Sequence, residues 1–375
     1  MDFLIVPILQ HSITPLPMEL VDVAIIGGGP AGSSCAAFCA AAGLRTVVVE
    51  REKFPREKVC GDCLNPGCWP VLRRLEVADR VRVLPHARLE RVDFVAINGR
   101  RVMVDLPRGD DSEIAIKRSL LDDLLLQRAR ELGAEIREES ILTAVSTMWG
   151  GNWKLDIVRE TFGARCLVGA DGRNSTVARL CNLLPRPERE RVALQTHIPL
   201  PRDFGNRVVL QLLPEGYCGQ APVNDTELNL CLVGTPPTIS ALRGWAEQHF
   251  GLATDQSWRT ITPLTRAPVP VAHDNLFFIG DAARVVEPFT GEGIFYALGS
   301  GELAAEAIVR VVADEDRRSA IREFARAHAA MYRGRLWINE LARAAVLSPK
   351  LASALLRFAP FSTAMMQLLT RKIAR

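Results

Sequence analysis

Continuous apolar runs, helical stripes and period-two stretches follow one another along the chain in an order that predicts an α/β protein interrupted by a second sheet. Residues 23–26 and 47–49 are unbroken apolar, largely β-branched runs, the pattern of strands buried on both faces. The alanine-rich stretch between them suits a closely packed helix. Residues 117–132 set Leu120, Leu121, Leu124, Leu125 and Ala129 on one broad helical face. Val92, Phe94 and Ala96 alternate, Asn98-Gly99 predicts a type I′ turn, and Val102 and Val104 alternate again, so residues 88–106 read as a hairpin. A second hairpin is expected around Gly150-Gly151-Asn152, and a strand over 165–169 then delivers Ala170-Asp171-Gly172. Period two returns in 192–198, 208–213 and 228–233, predicting a mainly antiparallel sheet. A short helix around 242–250, a buried strand over 275–280 and a small-residue helix over 297–307 complete the pattern.

The expected architecture is a discontinuous, Rossmann-like nucleotide-binding domain with an inserted β-sheet domain and a helical C-terminal segment. The expected boundaries are 18–85, 110–187 and 266–325 for the nucleotide domain, 86–109 and 188–265 for the sheet domain, and 326–375 for the helical segment. Residues 1–17 read as a disordered extension or a misplaced start, since Met18 directly precedes the first strand. With 375 residues and 48% hydrophobic content, the chain is long enough to bury a large core.

The chemistry is densest at the first turn. Gly27, Gly29 and Gly32 fall on the G-x-G-x-x-G spacing between a strand and a helix, and Glu50 ends the next strand. The first glycine permits the tight turn, the second lets backbone N–H groups approach a pyrophosphate, and the third lets helix and strand pack closely. The helix N-terminus adds its positive dipole end, and the carboxylate is placed to accept from an adenosine ribose. That is a dinucleotide site. Asp171-Gly172 follows a strand end, with Ser175 placed to cap the next helix. Gly280-Asp281 follows another strand end, and Gly291-Glu292-Gly293-Ile294 opens a helix whose bare N–H groups suit an electron-rich atom.

Together these three motifs resemble the FAD-dependent oxidoreductases of the para-hydroxybenzoate hydroxylase type, and within them the geranylgeranyl reductase family. The segment Pro288-Phe-Thr-Gly-Glu-Gly-Ile-Phe-Tyr-Ala-Leu and the loop Phe54-Pro-Arg-Glu-Lys-Val-Cys60-Gly-Asp62 carry that finer likeness. The resemblance implies FAD as cofactor, with Gly27, Gly29, Gly32 and Glu50 at its ADP half. It places Asp281 at the ribityl chain, Gly291 and Gly293 at the isoalloxazine, Arg118 near the phosphates, and Asp171 in support of the cofactor. Ala31, Arg51, Gly280, Pro288 and Ile294 are further expected cofactor-binding positions.

The resemblance also implies a reaction: electrons pass from a reduced donor, NAD(P)H, through FAD to an unsaturated isoprenoid, polyketide or aromatic substrate. A hydroxylase using oxygen and a non-catalytic prenyl-binding protein of related fold are the alternatives. Cys60 and Tyr217 are the candidate catalytic residues, for proton handling or positioning. Where the family commonly carries Tyr-x-Trp-x-Phe-Pro, this chain has Tyr217-Cys-Gly219-Gln-Ala221-Pro222, with small residues in place of both large apolar ones, which points to a different or bulkier substrate. The Trp-x-Trp-x-Ile-Pro motif of flavin-dependent halogenases is absent from the sequence.

Nine cysteines, an odd number, suit reduced thiols in a cytoplasmic protein. Cys60-x-x-Cys63 lacks a second pair to complete a zinc site, and the six histidines show no ligand spacing, so no metal is expected. The net charge of +3 conceals a basic tail: residues 318–375 carry eleven Lys and Arg against Glu323 and Glu340. Leu347, Leu351, Leu355 and Phe358 recur there at helical spacing, so the segment either packs on the body or contacts anionic membrane peripherally. No nucleic-acid-binding module accompanies the charge, and neither a secretory signal nor a membrane-spanning stretch is expected.

Overall fold

A computed structural model describes residues 18–60, 62–186, 191–264, 266–286, 291–337 and 340. The basic stripe expected over residues 347–375 and the site position Pro288 lie outside the described residues.

The chain begins with β1 (Leu20–Ile26), α1 (Pro30–Ala41) and β2 (Thr46–Val49). A long excursion follows through β3 (Cys63–Leu64), α2 (Trp69–Arg74), α3 (Ala78–Val83), β4 (Ala87–Arg88), β5 (Arg91–Val95), β6 (Arg101–Asp105) and β7 (Ile114–Ala115). Helix α4 (Arg118–Glu131) and strand β8 (Glu135–Arg137) return to the first sheet, and β9 (Leu142–Thr147), β10 (Trp153–Ile157) and β11 (Glu160–Gly169) form a meander ahead of α5 (Thr176–Leu180). Next come β12 (Val192–Pro199), β13 (Arg207–Leu213), β14 (Gly216–Pro222), β15 (Glu227–Gly234), α6 (Ile239–Phe250) and β16 (Arg259–Ile261). The last elements are β17 (Ala272–His273), β18 (Leu276–Phe278), α7 (Gly293–Val312) and α8 (Arg317–Tyr332).

Strands β8, β2, β1, β11 and β18 run parallel in that spatial order, with β9 and β10 added antiparallel beside β11. Alternation along β1 explains why its sequence is apolar throughout. Val23 and Ile25 pack under α1, α4 and α7, while Val21, Ala24 and Ile26 pack on the opposite face with Trp153 and Leu155 of the meander. Each face has its own core.

The second sheet has the order β16-β12-β15-β14-β13-β5-β6 and is antiparallel except where β13 meets β5. One face carries Leu194, Ile198, Val209, Leu228, Leu230 and Leu232 under α6. The other carries Tyr217 and Val233 and, between them and β12, the polar residues discussed below. The β5–β6 turn differs from the type I′ form expected at Asn98-Gly99: only Gly99 has positive φ, +82°, and the loop closes through Gly99 N–H to Ala96 O and Ala96 N–H to Arg100 O. A left-handed glycine at the end of a longer loop satisfies the strand twist without forcing Asn98 there as well.

Among the described residues, no helix is long and apolar enough to cross a membrane.

Candidate active site

The glycine turn is built from three distinct constraints. Gly27 has φ +104°, where a side chain would be strained, and a Cβ there would meet the Ala170 carbonyl at 2.5 Å. A Cβ on Gly32 would stand 1.8 Å from the Gly27 carbonyl oxygen, so α1 packs this closely only because the residue is glycine. At Gly29 the nearest atom is Arg56 Nη2 at 3.6 Å, which leaves open space at the helix N-terminus. Ala31 is buried on α1, and its Cβ lies 2.9 Å from the Cβ position of Gly280, so these two expected positions meet where the β18 end approaches α1.

Glu50 is buried at the end of β2. Its Oε2 accepts from Gly28 N–H at 2.7 Å and its Oε1 from Glu52 N–H at 2.9 Å, fixing the carboxylate while each oxygen retains a lone pair for a hydroxyl donor. Arg51 instead points to solvent, 72% exposed and paired with Glu52.

Four cations converge beyond the turn. Arg56 donates to Asp122 Oδ2 at 2.9 Å, and Arg118 makes a two-point contact with the same carboxylate at 2.7 and 2.8 Å. Arg173 donates to Asp281 Oδ2 at 3.1 Å, and its Nε and Nη1 are buried with no hydrogen-bond partner. Lys58 lies close by, with Nζ 3.8 Å from the Cβ position of Gly172; burial and the neighbouring Arg118, Arg173 and Arg56 push its pKa down to about 8. Among the described residues, Asp122 and Asp281 are the carboxylates paired with these four groups, which leaves a surplus of two positive charges and two orphaned donors there. A dianionic pyrophosphate supplies the missing acceptors, and with the open Gly29 face the residues fit FAD.

Asp171 accepts from Thr176 N–H at 2.6 Å and Val177 N–H at 3.1 Å, while Ser175 caps α5 through Ala178 N–H at 3.0 Å. Its direct contacts are therefore with the helix start. Its Oδ1 is buried without a partner, and burial raises its pKa.

At the far end, Gly291 has φ +69°, Gly293 begins α7 with open space at its Cβ position, and Ile294 is buried in the core under β1. Glu292 between them is fully buried and accepts from Arg335 at 2.9 Å and from the Tyr296 hydroxyl at 3.2 Å. Glu113 Oε1 lies 3.9 Å from the Cβ position of Gly291, and burial alone raises its pKa to about 7.

Cys60 is held from two sides. Arg118 lies beside its thiol, and the Cys60 carbonyl accepts from Gln195 Nε2 at 2.8 Å and Asn229 Nδ2 at 2.9 Å, both on the second sheet. Burial raises the thiol pKa, opposed in part by Arg118. Two residues on, Asp62 is buried in the left-handed region at φ +59° and accepts from His197 Nε2 at 2.9 Å. Tyr217 is buried in an apolar cluster with Phe94, Val102, Val104, Leu212 and the half-buried Val59. It packs there against the second sheet.

Sequence reasoning missed Arg56, Lys58 and Arg173 in the cation cluster and Gln195, His197 and Asn229 in the clamp. The signal for the first two was their placement in a charged loop directly after the glycine unit. For the clamp it was polar residues recurring at period two on an otherwise apolar strand.

An FAD binding domain model matches residues 20–199. The menaquinone reductase of Mycolicibacterium smegmatis is 31% identical over 316 residues, covering 76% of this chain and 75% of that protein. This chain belongs to the geranylgeranyl reductase family of FAD-dependent oxidoreductases. The digeranylgeranylglycerophospholipid reductase of Thermoplasma acidophilum is 25% identical, with 80% of each chain covered. The flavin-dependent brominase Bmp2 shares the fold at a TM-score of 0.76 and 20% identity, over 94% of this chain and 93% of that one. The protein is thus an FAD-dependent oxidoreductase with a Rossmann-like cofactor domain and a mixed second sheet.

Proposed function

We propose that the protein reduces a carbon–carbon double bond in an apolar, isoprenoid-type substrate, with electrons from NAD(P)H. The observation that carries this reading is the position of Cys60: its thiol lies beside Arg118 of the cation cluster, and its carbonyl is hydrogen-bonded to the same sheet face that carries Tyr217 and Gly219. Reductases named for menaquinone and for digeranylgeranylglycerophospholipid, both isoprenoid-bearing lipids, support the substrate class.

Bound FAD supplies the two-electron chemistry. The chain supplies the rest. Gly29 and the four cations bind the dinucleotide, and Glu50 orients its ribose. Val59, Tyr217, Leu210 and Leu212 form an apolar surface that excludes water and contacts a hydrocarbon. Gly219 leaves that surface low, since a Cβ there would meet only Leu210 and Cys231 at ordinary contact distances of 3.7 and 3.8 Å. A double bond gains one hydride and one proton, and the Cys60 thiol, kept protonated at neutral pH by burial, is placed to hold that proton.

The test is anaerobic incubation of the FAD-loaded protein with NADPH or NADH and an isoprenoid quinone or a geranylgeranyl lipid, followed by mass spectrometry. The expected product is heavier by two hydrogens per reduced bond. A product heavier by one oxygen, formed only in air, would replace the reductase reading with the hydroxylase one. Absence of flavin reduction by either nucleotide would remove NAD(P)H as donor.

A further inference from the structure

Between the cofactor loop and the second sheet lies a polar cluster that the dinucleotide site does not use. Gln195 and His197 project from one face of β12, two residues apart, and Asn229 stands directly opposite His197 on β15. Gln195 Nε2 donates to Cys60 O at 2.8 Å and to Asn229 Oδ1 at 3.1 Å, and it approaches Asp62 Oδ2 at 3.3 Å. His197 Nε2 lies 2.9 Å from the same Asp62 oxygen. Asp62 is 1% exposed, and its other oxygen has no partner. On the far side, Ile116 N–H donates to the Asp62 carbonyl at 2.9 Å, so the residue is held in its left-handed conformation from both directions.

We propose that Asp62 and His197 are positioning residues for Cys60: together they hold one proton at the base of the loop, and the charge of the pair sets the charge state available to the Cys60 thiol.

A buried carboxylate is costly unless paired, so burial raises the Asp62 pKa and favours the protonated carboxyl at the base of the loop. When that proton leaves, one negative charge remains two residues from Cys60 and disfavours its thiolate. The other groups facing the pair are Arg118 and Glu57 on the loop side, the Lys117–Glu227 ion pair at 3.1 Å beside His197, and the thiols of Cys63 and Cys231. Of the charged groups only Arg118 also touches Cys60, and it stays charged throughout the working pH range. The titratable element at the loop base is therefore the Asp62–His197 pair.

The experiment reads the thiol directly and needs no substrate, so a failed reduction assay leaves it intact. FAD-loaded protein is treated with iodoacetamide between pH 6 and pH 9, and alkylation of the Cys60 peptide is followed by mass spectrometry. In the unaltered protein, the rate rises with pH and then breaks to a shallower slope as the pair loses its proton. Asp62→Asn keeps a residue type that tolerates the left-handed backbone and removes the charge. It is expected to abolish the break and to raise the rate above it on the order of tenfold. His197→Ala removes the partner that favours the Asp62 charge, so the carboxyl keeps its proton to higher pH; the break is expected to move upward, with alkylation above the original break faster than in the unaltered protein. The double variant should then behave like Asp62→Asn alone, because His197 acts only through Asp62. An unbroken profile in the unaltered protein overturns the proposal even if a variant fails to retain FAD. An equal change in rate from His197→Ala with and without the Asp62 charge overturns it as well, since His197 would then be supporting the fold alone.

Discussion

Arg56 Nη2 stands 3.6 Å from the point where a Gly29 side chain would begin, whereas the corresponding point on Gly32 lies only 1.8 Å from the Gly27 carbonyl oxygen. Two glycines of one motif therefore serve different ends, one making room for a ligand and one for the fold. Gly29→Val should yield a folded, colourless protein, because the added side chain fills only the space the pyrophosphate needs. Gly32→Ala should unfold the α1–β1 packing and reduce soluble yield. Near-UV circular dichroism and the flavin absorbance of the purified variants separate the two outcomes. A yellow Gly29→Val protein would contradict the site assignment.

The Lys58 ammonium gives FAD binding a pH dependence whose sign follows from its surroundings. Arg118, Arg173 and Arg56 and the loss of solvent hold its pKa at about 8 in place of 10.5. A pyrophosphate favours the charged form, so binding takes up a proton when Lys58 is neutral. Affinity for FAD should fall as pH rises through about 8 and onward toward 10. Lys58→Met should flatten that dependence and weaken binding at pH 7 by tenfold to a hundredfold, the ~1.5–3 kcal/mol typical of a charged hydrogen bond. Fluorescence titration of the apoprotein at several pH values checks both. An unchanged pH profile in Lys58→Met would place the ammonium outside the phosphate site.

The contrast between what the sequence disclosed and what it concealed is one of contact range. The glycine turn, Glu50 and the Ser175 cap are legible because each acts within one strand-turn-helix unit, where spacing alone constrains geometry. The Asn98-Gly99 turn was legible in place but not in type, since loop length is set by where β5 and β6 cease pairing at Val95 and Arg101. Arg173 meets Asp281 across 108 residues, and Gln195 and Asn229 reach the Cys60 carbonyl across 135 and 169. No periodicity within a window reports such partners. His197 illustrates the limit: one histidine on a strand has no ligand spacing to announce it, and only the β12–β15 register and the loop beneath it show what it meets. Arg51 shows the reverse case, a residue adjacent to Glu50 that the strand end turns outward to pair with Glu52.

Glu113 should make stability fall as pH rises. Burial lifts its pKa to about 7 from an ordinary 4.5, so between those values the native state binds more protons than the unfolded chain. The carboxyl is neutral and harmless below 4.5, and its cost is complete above 7, where it amounts to at most about 3.5 kcal/mol at ~1.4 kcal/mol per pH unit. Glu113→Gln should raise the melting temperature by a few degrees at pH 8 and leave it unchanged near pH 4. Thermal unfolding of both proteins at the two pH values decides the matter. Equal melting temperatures at pH 8 would mean that the carboxyl reaches solvent or a cation there.

Cys60 and Cys63 share a short loop but differ in what surrounds them. The Cys60 thiol touches the Arg118 guanidinium, which lowers the cost of a transient thiolate, and its backbone is fixed by Gln195 and Asn229. Cys63 begins β3, paired with Ala115, and its thiol is pushed well above the usual range by burial and by Glu113. A proton donor must recover from its deprotonated state, and only Cys60 has a cation placed to stabilise that state. Cys60→Ser should therefore retain FAD and its reduction by the donor while slowing reoxidation by substrate, by the ~10²–10⁴-fold attributed to general acids. Cys63→Ser should change that step by less than about threefold, within the context scatter of such effects. Stopped-flow absorbance of the reduced flavoprotein mixed anaerobically with substrate reads both. Normal turnover in Cys60→Ser would assign its loop a purely structural part and leave the proton to solvent or to another group at the sheet face. Equal damage in the two variants would instead point to a working dithiol, because only a mechanism using both sulfurs makes the surroundings of Cys63 matter as much as those of Cys60.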